Sequence, residues 1–178
     1  MEKRLPIAHG NNPLGARLGV TANAIEPPLS SQEHVMTKRT VNVLLVEDDE
    51  VDVMNVQRAF KRNRIENPLY VANNGLAALN MLRGSDSDPP SVPEHRRLVL
   101  LDINMPKMNG LEFLQELRQD ESLKSTPVVV LTTSDADQDR LEAYRLNVAG
   151  YILKPVTFAT FADVVAALNQ YWALCEIP

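Results

Sequence analysis

Six residues in this sequence have the types and positions to do chemistry together. Glu47, Asp48 and Asp49 follow directly on the apolar run VNVLLV, Asp102 follows LVLL, Thr132 closes PVVVLT, and Lys154 closes GYILK. Four separate apolar runs thus each end in polar or charged side chains. Carboxylates gathered at one edge of a sheet repel one another and are costly to desolvate. A divalent cation relieves that cost, and an oxygen-only donor set points to Mg²⁺ rather than zinc. Glu47, Asp48 and Asp102 bring three negative charges, balanced by Mg²⁺ together with Lys154. Turning one carboxylate into an acyl phosphate would add negative charge, and Lys154 and Thr132 are suitably typed to absorb it.

Positioning these groups requires strands, and the pattern supplies them. Val41–Val46, Leu69–Ala72, Leu98–Ile103, Pro127–Thr132 and Gly150–Leu153 are short, β-branched and nearly continuously apolar, as expected of strands covered on both faces of a parallel sheet. Helical spacing fills the intervals. One stripe is Val53, Val56, Ala59 and Phe60; another is Leu76, Leu79 and Leu82. A third is Leu111, Leu114 and Leu117, and a fourth Leu141, Tyr144 and Leu146; the last helix carries Phe161, Val164, Val165, Leu168, Tyr171 and Trp172. Asn74, Ser134 and Thr157 are candidate N-caps. Five strands alternating with five helices predict an open, doubly wound α/β domain with helices on both faces. Ligands of such folds bind at the carboxyl ends of the strands, where the six residues fall.

Composition sets the outer limits. The 178 residues suffice for one domain plus a tail, and 44% hydrophobic with 23% charged residues is a globular profile. A net charge of -5 argues against DNA binding, and no apolar run approaches the ~20 residues of a membrane span. The start is broken by Pro6, Gly10, Pro13 and Arg17 and does not read as a secretory signal. Cys175 is alone, and His9, His34 and His95 lack metal-ligand spacing; a cytoplasmic protein is expected. Residues 1–40, with prolines at 6, 13, 27 and 28 and no sustained period, read as a flexible arm before a domain at 41–178.

The segments VLLVEDD, LLDINMPKMNG, VVVLTTS and GYILKP, in that order and spacing, resemble the four signature segments of the bacterial response-regulator receiver (CheY-like) family. The resemblance spans residues 41 to about 172 and implies a flavodoxin-like sheet of strand order 2-1-3-4-5. It further implies Asp102 as phosphoacceptor, Glu47 and Asp48 as metal-binding pair, and Asn104 as the residue whose backbone carbonyl joins the Mg²⁺ shell. Asp49 falls one place beyond the pair and reads as a helix-start residue. Lys154 resembles the lysine that pairs with the acyl phosphate, with Pro155 in the family's cis peptide aiming it inward. Thr132 and Tyr151 resemble the hydroxyl and the rotating aromatic of the family's switch. Asn104, Thr133 and Ser134 lie where phosphate lifetime is tuned. The implied reaction is phosphoryl transfer from a phosphohistidine of a partner histidine kinase, with slow self-dephosphorylation and no other enzymatic activity.

Nothing patterned as a second domain follows the last helix, so output is expected through protein contact or onward phosphotransfer. The ending LNQYWALCEIP, with PVVVLTTS, resembles stand-alone regulators of phytochrome-type histidine kinases. That implies a homodimer through the C-terminal helices, with Phe161, Tyr171 and Trp172 as anchors; the competing reading is that these aromatics complete the core. The long Arg83–Arg97 segment reads as a tolerated insertion or a kinase contact, the former favoured. A haloacid-dehalogenase-type phosphatase is disfavoured because Asn104 stands where its second aspartate belongs. A flavodoxin-like cofactor carrier is disfavoured because Glu47–Asp49 replace its phosphate loop.

Overall fold

The computed structural model describes residues 40–84 and 89–177. In chain order these form β1 (Asn42–Val46), α1 (Glu50–Arg62), β2 (Leu69–Ala72), α2 (Gly75–Arg83), β3 (Arg97–Leu101), α3 (Gly110–Gln119), β4 (Val128–Thr132), α4 (Asp137–Arg145), β5 (Gly150–Leu153) and α5 (Phe158–Leu174). All strand pairs are parallel, and the sheet order is β2-β1-β3-β4-β5. The expected doubly wound architecture is present, with strand ends shifted by one or two residues. The arm expected at 1–40 lies, up to residue 39, outside the described residues.

Burial follows from strand position. β1, β3 and β4 are buried at every residue, whereas β2 and β5, at the sheet edges, are only partly covered. Alternate side chains then serve opposite faces, as the period of two requires. Leu44, Val46, Val99, Leu101, Val128 and Val130 pack with α2, α3 and α4. Val43, Leu45, Leu98, Leu100, Val129 and Leu131 pack on the other face with α1 and α5.

Helix starts are largely where the sequence places them. Asn74 caps α2 by accepting from Ala77 N, and Thr157 caps α5 by accepting from Thr160 N. Ser134 does not cap α4: the N-cap is Ala136, without a side-chain bond, and Ser134 Oγ donates to Asp139 instead (2.7 Å). The Asp137 and Asp139 charges in the first turn favour that helix end without a cap. The expected α4 stripe is also rotated. Ala143 is buried while Leu141 and Tyr144 are exposed, so the inward face runs through Arg140, Ala143 and Leu146. In α2, Leu79 and Leu82 are buried as expected, but Leu76 is exposed.

The connection into β3 is anchored by a cation. Buried Arg97 donates to the carbonyls of Leu82, Val92 and Pro93 at 2.7–3.1 Å, and burial pushes its pKa down. Val92 is wholly buried, so the described end of this long segment is tucked beneath α2.

Candidate functional site

Strand register delivers the site. Val46 pairs with Leu101 and Asp102 N donates to Val46 O (3.0 Å), so Glu47 and Asp102 leave the sheet side by side. Thr132 pairs with Leu153 and Lys154 N donates to Thr132 O (2.8 Å), bringing the other two strand ends to the same edge. Glu47, Asp48 and Asp102 each present a carboxylate oxygen, all within 4.8 Å of one another. Glu47 and Asp102 are buried and Asp48 is exposed, which leaves one open side.

Asp102 is held from below. Its Oδ2 accepts from Asn104 N (2.8 Å), while its Oδ1 is buried and has no hydrogen-bond partner. Gly110 lets α3 come this close: a Cβ there would sit 2.3 Å from Asp102 O and 2.8 Å from Ile103 Cα. Asp49 caps α1, accepting from Val51 N (2.7 Å) and Asp52 N (3.3 Å), in its expected role. Its own N–H donates to Glu47 Oε1 (3.2 Å).

Lys154 reaches across the site. Its Nζ donates to Glu47 Oε2 and Asp52 Oδ2, both at 2.6 Å, and lies 3.2 Å from Asp102 Oδ1 as an ion pair without hydrogen-bond geometry. The Lys154–Pro155 peptide is trans, contrary to the cis bond expected, and no described peptide bond is cis. The long side chain reaches its partners from the ordinarily preferred isomer. Burial pushes the Glu47 carboxyl up from 4.5 to about 7, against the pull of the Lys154 hydrogen bond. Burial also works against the Lys154 ammonium, but the hydrogen bonds it donates to Asp52 and Glu47 outweigh it and raise its pKa. The lysine therefore keeps its charge near neutral pH, while Glu47 is the group with a proton to lose.

The remaining sequence-derived residues form a chain away from Asp102. Thr132 is fully buried and its hydroxyl oxygen accepts from Ser134 N (3.3 Å). Tyr151 OH donates to Ser134 O (2.9 Å), and burial raises the phenol pKa. Thr133 is exposed beside them, and Asn104 is exposed in the loop after Asp102. Asp52 is the site residue that sequence reasoning missed. It lies five positions after Glu47 in the first turn of α1. An acidic first turn reads as helix-end stabilisation, so only the position of Lys154 could have revealed it.

The donor set suits a hard divalent cation. Three carboxylates converge, one oxygen of Asp102 is buried without a hydrogen bond, and no nitrogen or sulfur ligand belongs to the group. Among the described residues no helix is long and apolar enough to cross a membrane.

A five-stranded parallel sheet of this order, with an acid pocket and a lysine at its carboxyl edge, is the frame of one signalling module. The response regulator receiver domain model matches residues 43–166, and the chain belongs to that family. It is similar to the response regulator Rcp1 of Synechocystis, with 36% identity over 132 residues, 73% of this chain and 87% of that one. The probable methanogenesis regulatory protein FilR2 of Methanothrix harundinacea is 38% identical over 130 residues, 73% of this chain and 82% of that one. Among solved structures, the phosphorylated cyanobacterial phytochrome response regulator RcpA aligns with a TM-score of 0.68 and 30% identity. That alignment covers 78% of this chain and 99% of RcpA. The Mn²⁺-bound form of Rcp1 aligns with the same TM-score and coverage at 34% identity.

Proposed function

We propose that this chain accepts a phosphoryl group on Asp102 from a phosphohistidine of a partner histidine kinase, one of phytochrome type, and signals by protein contact or onward phosphotransfer. The observation that carries this reading is the unbonded, buried Oδ1 of Asp102, facing Lys154 inside the carboxylate group. A carboxylate oxygen of Asp102 attacks phosphorus, the P–O bond forms as the P–N bond to the kinase imidazole breaks, and the imidazole leaves as the neutral base once protonated. Such transfer needs positioning and charge neutralisation more than acid–base chemistry.

Glu47, Asp48, Asp102 and the Asn104 carbonyl are the groups assigned to hold Mg²⁺. When bound, Mg²⁺ would supply charge neutralisation for the phosphoryl oxygens. Lys154 contributes a cation beside Asp102 Oδ1, and the Asn104 N–H keeps Asp102 oriented through its other oxygen. The Thr132 hydroxyl then turns from Ser134 N towards a phosphoryl oxygen. Because Tyr151 is hydrogen-bonded to Ser134 O, movement of the β4–α4 loop is passed to β5. Asn104, Thr133 and Ser134 are assigned, by the family resemblance, to set how readily water reaches the acyl phosphate. The C-terminal helices are assigned as the surface for a homodimer.

Incubation with acetyl phosphate and Mg²⁺, followed by a phosphate-retarding gel, tests the acceptor. A retarded, base-labile species is expected with the wild-type chain and none with Asp102→Asn. Retardation that survives in Asp102→Asn would assign the acceptor elsewhere.

A further inference from the structure

The Lys154 ammonium has two short contacts, and both are to acids of the β1–α1 side: Glu47 just past β1 and Asp52 in the first turn of α1. Asp102, the group it faces, is 0.6 Å further away and outside hydrogen-bond geometry. Glu47 belongs to the converging carboxylates, but Asp52 does not. Asp52 is nonetheless firmly placed, because its N–H is held by the Asp49 cap and its carboxylate by the lysine. We propose that Asp52 is a positioning residue that holds Lys154 on the α1 side in the resting state and thereby opposes the phosphorylated state. The proposal rests on Asp102 being the phosphoryl acceptor.

Charge counting gives its direction. With Asp52 included, four carboxylates surround the site against the three positive charges of Lys154 and a divalent cation. An acyl phosphate adds one more negative charge. Glu47 and Asp52 take two of the three N–H donors of Lys154, so a single donor is left for the new oxygens until the Asp52 contact is surrendered. A contact made in the resting state and surrendered in the other shifts the equilibrium by its differential strength. Asp52 is about one-third exposed, so solvent screens part of that difference. Asparagine at this position keeps the shape and an acceptor oxygen while removing the charge.

Beryllofluoride binding to the full chain at saturating Mg²⁺ reads the effect directly. Asp52→Asn is expected to bind on the order of three- to tenfold tighter than wild type. Asp52→Glu should return towards wild type, and Asp52→Ser, a second way of removing the charge, should follow Asp52→Asn. A residue that merely supports the fold would weaken binding in all three variants, with matching losses of thermal stability. Equal or weaker binding by both charge-removing variants overturns the role of Asp52 while leaving Asp102 as acceptor. Wild type that fails to bind beryllofluoride in an Asp102-dependent way removes both readings.

Discussion

Glu47 carries the site's clearest titration. Burial raises its carboxyl from 4.5 to about 7, so the folded, metal-free chain holds a proton there that the unfolded chain has already released between those values. Its contribution to stability is therefore full below pH 4.5 and is lost as pH rises through 7. A cation bound by the same carboxylates favours the ionised form, so its binding must displace that proton. Mg²⁺ affinity is expected to be roughly ten- to thirtyfold weaker at pH 5.5 than at pH 8. In Glu47→Gln, affinity should be low and this pH dependence should flatten, while the metal-free variant gains stability relative to wild type above pH 7. Calorimetric Mg²⁺ titrations at both pH values and urea unfolding without metal would check it; a wild-type affinity independent of pH contradicts a proton on Glu47. Residue types at the ends of apolar runs pointed to Glu47, Asp48, Asp102 and Lys154, whose charged groups the fold brings together. They could not reveal Asp52, whose partner arrives from a strand about a hundred residues later.

At the scale of elements, the site depends on how closely α3 approaches the β3 end. Gly110 starts α3 with its N–H donating to Ile103 O (2.9 Å), and its missing Cβ leaves room for the backbone of Asp102. The capping box of Asn109 and Glu112 fixes that helix start, so the loop between has little freedom to yield. Gly110→Ala would place a methyl against backbone atoms rather than a flexible side chain. A destabilisation of about 1–3 kcal/mol is expected, with weakened beryllofluoride binding as Asp102 is displaced. Denaturant unfolding and binding together check this, and unchanged values in both would disprove a tight approach. The continuous apolar runs made the strands legible, since a strand covered on both faces has no polar alternation to hide it. α4 is less legible because its inward face is carried by Ala143 and Leu146, while Leu141 and Tyr144, the other two residues of the expected stripe, are exposed. Local capping by Ser134 was likewise outcompeted by its hydrogen bond to Asp139.

At the scale of the whole molecule, the sheet has an edge at β5, and α4, β5 and α5 each leave apolar side chains exposed. Leu141, Tyr144, Leu153, Val156, Tyr171 and Leu174 are all exposed. Of the three aromatics expected to anchor a dimer, Phe161 and Trp172 are buried in the α1–α5 core and cannot do so. Tyr171 is exposed, its ring set edge-on to Trp172 with centroids 5.0 Å apart, which gives it a rigid base for an interface. Under the proposed function a change at Asp102 is passed on through Thr132, which is joined to Tyr151 by way of Ser134, so self-association is expected to respond to the phosphoryl group. A weak interface with Kd near tens of micromolar corresponds to about 6 kcal/mol. Adding beryllofluoride and Mg²⁺ should shift that balance towards dimer, and Tyr171→Ser should reverse the shift without loss of fold, because its side chain fills no core position. Sedimentation velocity at tens of micromolar, with and without the phosphate mimic, measures both effects. If the chain stays monomeric under both conditions, the dimer is wrong.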